Sequence, residues 1–145
     1  MASFSVRVGV RGYELDMNGH LNHTVYHRFG EHARTEHLAA AGCSTGRLLE
    51  HGLGVVLLET RVRFLRELRH GDQVDVDSRL AFGEGRTFRM DHTLLRSDGV
   101  VAAEIECVMG LLDQAQRRLA HDPRGRLLEI ATAPEVLAPL PEPLG

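Results

Sequence analysis

Two stretches of different periodicity limit what this chain can become. From His23 to about Ala41 there is no proline, and Val25, Phe29, Ala33 and Ala40 recur near helical spacing. From Val55 to Leu112 the pattern turns to β. In Val55–Leu65 alternation puts Val56, Leu58, Thr60, Val62 and Phe64 on one face. His70-Gly71-Asp72, Gly83-Glu84-Gly85 and Ser97-Asp98-Gly99 then introduce Val74–Phe82, Thr87–Arg96 and Val100–Leu112. Turns between successive strands predict an antiparallel meander, and the absence of βαβ alternation excludes a Rossmann or α/β-hydrolase core. Phe4–Val10 adds a first strand, and Ser44–His51 a short second helix. The fold class expected is α+β, with one long helix wrapped by a curved antiparallel sheet.

The helix of about 19 residues spans about 28 Å, enough to cross a sheet. Asn22 suits its N-cap and Gly42 its C′ position. Gly30 in mid-helix costs about 1 kcal/mol against alanine, which close packing against the sheet explains. At 145 residues the chain makes one domain, expected over 1–130. Residues 131–145 hold four of the five prolines and predict an extended, mobile tail.

Composition removes several kinds of chemistry. All seventeen basic residues are arginine, which excludes lysine Schiff bases and a Walker A loop. A formal charge of −3 gives no general attraction to nucleic acid or an anionic membrane. No apolar run reaches the roughly 20 residues of a membrane span, and the first residues lack a signal-peptide layout, so a cytoplasmic location is expected. Cys43 and Cys107 are too few for a disulfide framework.

The segment from Asp16 to Tyr26 carries the chemistry. A carboxylate precedes Gly19, the capping residue Asn22 and a helix starting at His23. That order can bring an acidic side chain beside free N–H groups at the positive end of a helix, which hydrolysis of an activated acyl group requires. Competing motifs are weaker. Gly42-Cys43-Ser44-Thr45-Gly46 has the letters of a nucleophile elbow, but a helix end precedes it where that motif needs a strand, so Ser44 is read as a cap. His23, His27 and Glu31 share a helical face without a fuller ligand pattern, and no metal is expected. Arg61, Arg63, Arg66 and Arg69 alternate with acids and read as a mixed exposed face. Arg86 and Thr87, after a glycine turn, are candidate phosphate contacts.

Tyr13-Glu14-Leu15-Asp16, Gly19, Asn22, Tyr26 and Glu31-His32-Ala33-Arg34 resemble the hot-dog-fold thioesterases of the 4-hydroxybenzoyl-CoA thioesterase type. The likeness is greatest to their acyl-ACP branch, the plant acyl-lipid thioesterases of the methylketone-synthase kind, and to bacterial relatives. It runs from about Val6 to about Arg126 and includes Phe64-Leu65-Arg66-Glu67-Leu68 and Gly71-Asp72.

The resemblance implies a homodimer or homotetramer with active sites between protomers. It implies that Asp16 is nucleophile or base and that the His23 backbone N–H holds the oxyanion. Asn22 and Tyr26 are expected to shape the pocket, with His20 at its rim and Glu59 a weaker substrate contact. Where relatives carry Asn or an aromatic residue, this chain has His23. The function expected is hydrolysis of an acyl-CoA or acyl carrier protein thioester. No cofactor is expected beyond the substrate's own CoA or phosphopantetheine. The lack of a clear basic cluster favours an acyl carrier protein as partner, or loose binding of CoA. The alternatives are a hot-dog dehydratase using His23 or His27, and a non-catalytic module binding acyl thioesters or a carrier protein.

Overall fold

The structure is a computed structural model and describes residues 4–138. Strand β1 is Phe4–Gly9, helix α1 His23–Ala40 and helix α2 Thr45–Glu50. The long strands are β2 (Leu53–Phe64), β3 (Gln73–Phe82), β4 (Thr87–Arg96) and β5 (Val101–Asp113). A short β6 (Arg118–Leu119), α3 (Pro123–Ile130) and a 3₁₀ turn at Pro134–Leu137 follow. One antiparallel sheet of order β1-β3-β4-β5-β2, with β6 beside β5, curls around α1. The hot-dog architecture expected from the sequence is the one observed.

The caps act as their residue types predict. Asn22 Oδ1 accepts the Thr24 N–H at 3.0 Å, and Ser44 Oγ the Arg47 N–H at 3.3 Å. Gly30 faces the sheet, where an added Cβ would lie 3.1 Å from Ile105 Cδ1 and 3.3 Å from His92 Cδ2. Gly42 takes φ +92°, and Thr132 packs directly on it while its N–H donates to Ala41 O at 2.9 Å. The first letter of the apparent nucleophile elbow is therefore a helix terminus and a site of close backbone approach. The core lies between α1 and the concave sheet face, with Met90, Leu94, Ala103, Ile105 and Met109 under Phe29 and Ala33.

Three expectations need correction. The strands after α1 are not a simple meander, because β2 pairs with β5 while β3 pairs with β1 and β4. Residues 65–72 are a crossing from the β2 edge over to β3, next to the far edge strand, not a hairpin. Ala102 O accepts the N–H groups of Leu65 and Arg66, Leu68 O accepts that of Leu21, and Val10 exchanges bonds with Gly71 and Asp72. Local turn residues look alike in both cases, since pairing is decided by distant partners.

The β2 face assignment also breaks. Leu57 pairs with Met109 and Glu59 with Val108, so Leu58 is a bulge. One extra residue reverses the inward parity of everything beyond it. Val55 and Leu57 point inward before the bulge, Thr60 and Phe64 after it.

The tail expected from 131 holds no further than the described residues allow. Residues 134–137 form a 3₁₀ turn on the core, with Leu137 only 3% exposed. Val136 O is 2.8 Å from His37 Nε2. Proline there starts the turn, as it does at Pro123 in α3, and the buried contacts hold it. Residues 139–145 lie outside the described residues.

Candidate active site

The loop before α1 is built almost wholly from local hydrogen bonds. Asp16 O accepts the Gly19 N–H at 3.0 Å, with Gly19 at φ +75°, and the Asp16 N–H donates to His20 O at 2.8 Å. Asp16 Oδ1 accepts the Asn18 N–H at 2.8 Å and the His20 N–H at 3.2 Å. One carboxylate oxygen is thus committed to shaping the loop. Among the described residues Oδ2 takes no hydrogen bond.

The helix start mirrors that division. Asn22 accepts the Thr24 N–H through its side chain and the Val25 N–H at 2.9 Å through its carbonyl. The His23 N–H has no acceptor among the described residues, at the end where the helix dipole is positive.

These groups meet the crossing segment across an open cavity of about 310 Å³. It is lined by Asp16, His20, Leu21, His23 and Tyr26 from one side and by Phe64, Leu65, Arg66 and Glu67 from the other. His20 Nε2 lies 2.7 Å from Glu67 Oε2, and Glu67 also holds Arg69 at 2.6 Å. The Tyr26 ring stands edge-on to Phe64 with centroids 4.9 Å apart. Burial raises the Tyr26 hydroxyl above its ordinary range, and the negative charges of Asp16 and Glu67 push it further the same way. Tyr26 therefore stays a neutral donor facing a carboxylate-rich cavity. An ionised carboxylate beside unpaired N–H groups can activate an oxygen nucleophile and hold the oxyanion that its attack creates.

The profile of the Thioesterase-like superfamily matches residues 10–142. The chain belongs to that superfamily. A chloroplastic acyl-acyl carrier protein thioesterase of Arabidopsis thaliana is 31% identical over 91 residues, which are 63% of this chain and 48% of that protein. The chain thus spans about half the length of that curated relative. A hypothetical protein of Thermus thermophilus superposes with a TM-score of 0.78 at 28% identity, covering 89% of this chain and 97% of that one. A 1,4-dihydroxy-2-naphthoyl-CoA thioesterase of Synechocystis shares the fold, with a TM-score of 0.78 at 15% identity over 89% of this chain and 96% of that one.

Within this thioesterase-like fold the sequence-predicted residues divide. Asp16, His20, His23 and Tyr26 line one cavity, and Asn22 caps the helix beside it. Glu59 does not join them. The bulge turns it to the outer sheet face, where it lines a separate depression with Arg61, Arg89 and Glu106. Arg86 Nη1 donates to Leu119 O at 2.9 Å and Nη2 to His121 Nε2 at 2.7 Å, so its guanidinium ties the β3–β4 turn to the chain beyond β6. Thr87 opens β4 opposite Gly110 and is not in the cavity lining. Arg66 and Glu67 are the lining residues that motif reading missed. Their signal was the match at Phe64–Leu68, which carries a role only once the crossing brings it to Asp16.

Proposed function

We propose that this chain hydrolyses acyl thioesters of coenzyme A or an acyl carrier protein. The observation that carries the reading is the pair of uncommitted groups on one cavity, Asp16 Oδ2 and the His23 N–H. Asp16 adds to the thioester carbonyl or removes a proton from the water that does. The His23 N–H donates to the oxyanion, a contribution of about 10²–10³ in kcat for one good donor. The thiolate then leaves as the carbonyl re-forms; where Asp16 itself has added, water next cleaves the acyl-aspartyl anhydride and frees the acid and the carboxylate. No cofactor is needed beyond the substrate's own CoA or phosphopantetheine, and Arg66 on the cavity wall suits its phosphate. The named relatives support the same chemistry.

The working unit in this reading is a dimer. Among the described residues β2 is an unpaired sheet edge, and Leu57, Leu58 and Phe64 on it are 42%, 45% and 54% exposed. A second copy pairing there would cover them and close the cavity beside Phe64.

Thiol release from acyl-CoA and acyl carrier protein substrates, in wild type and Asp16→Asn, tests the activity. Asparagine keeps an Oδ1 for the Asn18 and His20 N–H groups while removing the base. Turnover is expected to fall by about 10²–10⁴ with no loss of melting temperature. Wild-type turnover in Asp16→Asn would remove Asp16 from the mechanism.

A further inference from the structure

A second cavity, of about 490 Å³, lies between α1, α2, β2 and β5. Its size falls within the range of about 300–1,000 Å³ usual for small-molecule sites. It is separate from the cavity at Asp16. The two share no lining residue, and the turn of α1 between them is closed at Gly30. An added Cβ there would lie 3.1 Å from Ile105 Cδ1 and 3.3 Å from His92 Cδ2. Within one protomer, an occupant of the second cavity enters from solvent and not by way of Asp16.

The inner wall of this cavity carries one charge. Arg34 lines it and is only 9% exposed. Among the described residues its one hydrogen-bond contact is from Nη1 to Cys107 Sγ at 4.0 Å. No carboxylate among them lies within ion-pair distance of it. Burial pushes the Cys107 thiol up, so the sulfur stays neutral and supplies no counter-charge. Burial and the Arg34 charge hold the nearby His92 ring down to about 4, so no second positive charge joins it at neutral pH. A guanidinium cannot escape burial by losing its proton, and Arg34 remains a single charge in want of an anion.

The rest of the wall selects the anion. Leu38, Leu48 and Met109 line the cavity from the core, whereas Leu49 and Leu57 on the same wall are 54% and 42% exposed and mark its mouth. A hydrocarbon lying between the guanidinium and the mouth would take those two leucines out of water, and each methylene buried with them adds affinity. Glu31 also lines the cavity and is exposed. Its charge opposes an ion with several negative charges more than an ion with one. Apolar walls around one guanidinium fit a carboxylate with a hydrocarbon body, not a phosphate. We infer that this cavity is a binding site for a free aliphatic monocarboxylate, its carboxylate on Arg34 and its chain running out past Leu49 and Leu57. The acids released by the activity proposed above are of this class, but the site and its test stand without that activity.

The test titrates octanoate, octanamide, acetate and inorganic phosphate calorimetrically against wild type, Arg34→Met, Arg34→Lys, Thr35→Glu and Asp16→Asn. Melting temperatures and solution masses serve as controls. Wild type should bind octanoate about tenfold or more tightly than octanamide, which has the same shape without the charge. It should bind acetate and phosphate more weakly than octanoate. Arg34→Met should remove the preference for octanoate over octanamide, and Arg34→Lys should keep part of it. Should both Arg34 variants melt early, Thr35→Glu carries the test from the exposed side of the same wall. A carboxylate there should weaken octanoate about tenfold and change octanamide little. Asp16→Asn should leave all four affinities as they are. Equal binding of octanoate and octanamide by wild type, or none, overturns the inference, as does phosphate bound as tightly as octanoate. A preference that survives Arg34→Met or Thr35→Glu, or that Asp16→Asn shifts, moves the acid to another site and overturns it too. Loss of a dimer in Arg34→Met, with no wild-type preference, makes Arg34 an interface residue and has the same effect.

Discussion

The two flanks of α1 are finished to different degrees. Towards β1 and β3 the buried His37 ring is fully paired. His37 Nε2 donates to Val136 O at 2.8 Å, Nδ1 accepts from Ser78 Oγ at 2.8 Å, and Phe4 stacks on the ring at 4.7 Å. Towards β2, Leu57 and Phe64 stay exposed and, among the described residues, Arg34 has no counterion. Buried polar groups cost free energy unless paired, so a chain that satisfies one flank and neglects the other has a use for the second. The closed flank stabilises the fold, and the proposed ligand site and dimer contact both lie on the open one.

The largest effect that separates the flanks is on turnover. Asp16→Asn should lower kcat by about 10²–10⁴ and leave the melting curve in place, whereas Gly42→Ala should do the reverse. At Gly42 a side chain meets both a left-handed backbone and Thr132. Strain of about 1–2 kcal/mol adds to a clash of similar size, for about 3 kcal/mol of stability. Urea unfolding and thiol release on the same two proteins check the pair. A Gly42→Ala protein that is fully stable but inactive would erase the distinction between flanks.

Acid sharpens the comparison next. Burial lowers His37, and holds His92 at about 4, below the usual 6.5 of a free histidine. Above pH 6.5 both rings are neutral folded or unfolded. Below it the unfolded chain binds protons that the folded chain refuses, so stability falls as pH drops from 6.5 towards 4. For His92 the loss reaches about 3 kcal/mol, at about 1.4 kcal/mol per pKa unit. Burial raises the Asp77 carboxyl, which works in the opposite sense near the acid end of that range. Urea midpoints from pH 7.5 to 4.5 read the slope. His92→Asn, which keeps a donor for Asp77 O, should flatten it, and an unchanged slope would mean that His92 is not the group responsible.

How much of this was legible beforehand follows the range of the interactions. Asn22, Gly42 and Ser44 announced the helix ends because a cap is decided within a few residues. Strands β3, β4 and β5 were likewise bounded by their own turns. The Leu58 bulge was invisible, since Val55-Val56-Leu57-Leu58 gives no alternation to show where parity changes. The candidate site divides the same way. Asp16, His20, His23 and Tyr26 come from one local segment, whereas Glu67 reaches them through the crossing, and Arg34 gains its character from Cys107 and His92 on distant strands. Arg86 looked chemical in sequence because Leu119 and His121, which occupy it, are distant. Glu59 came from the resemblance and is turned away by the bulge beside it.

The smallest predicted effect tests whether the open flank is rigid where chemistry needs it. Asn22 Oδ1 accepts both the Thr24 N–H at 3.0 Å and the Thr24 hydroxyl at 2.8 Å, outside the cavity lining. Asn22→Ala should cost about 1 kcal/mol of stability as an ordinary lost cap. It should also lower kcat several-fold more than KM changes. The freed Thr24 N–H lets the first turn fray, and the His23 N–H moves with it. Asn22→Asp restores the acceptor and favours the helix dipole, so it should recover the melting temperature. It also adds a negative charge near the developing oxyanion, so it should recover kcat only in part. Equal recovery of both would show that helix order alone sets the donor, while a kcat untouched in Asn22→Ala would separate the cap from the chemistry.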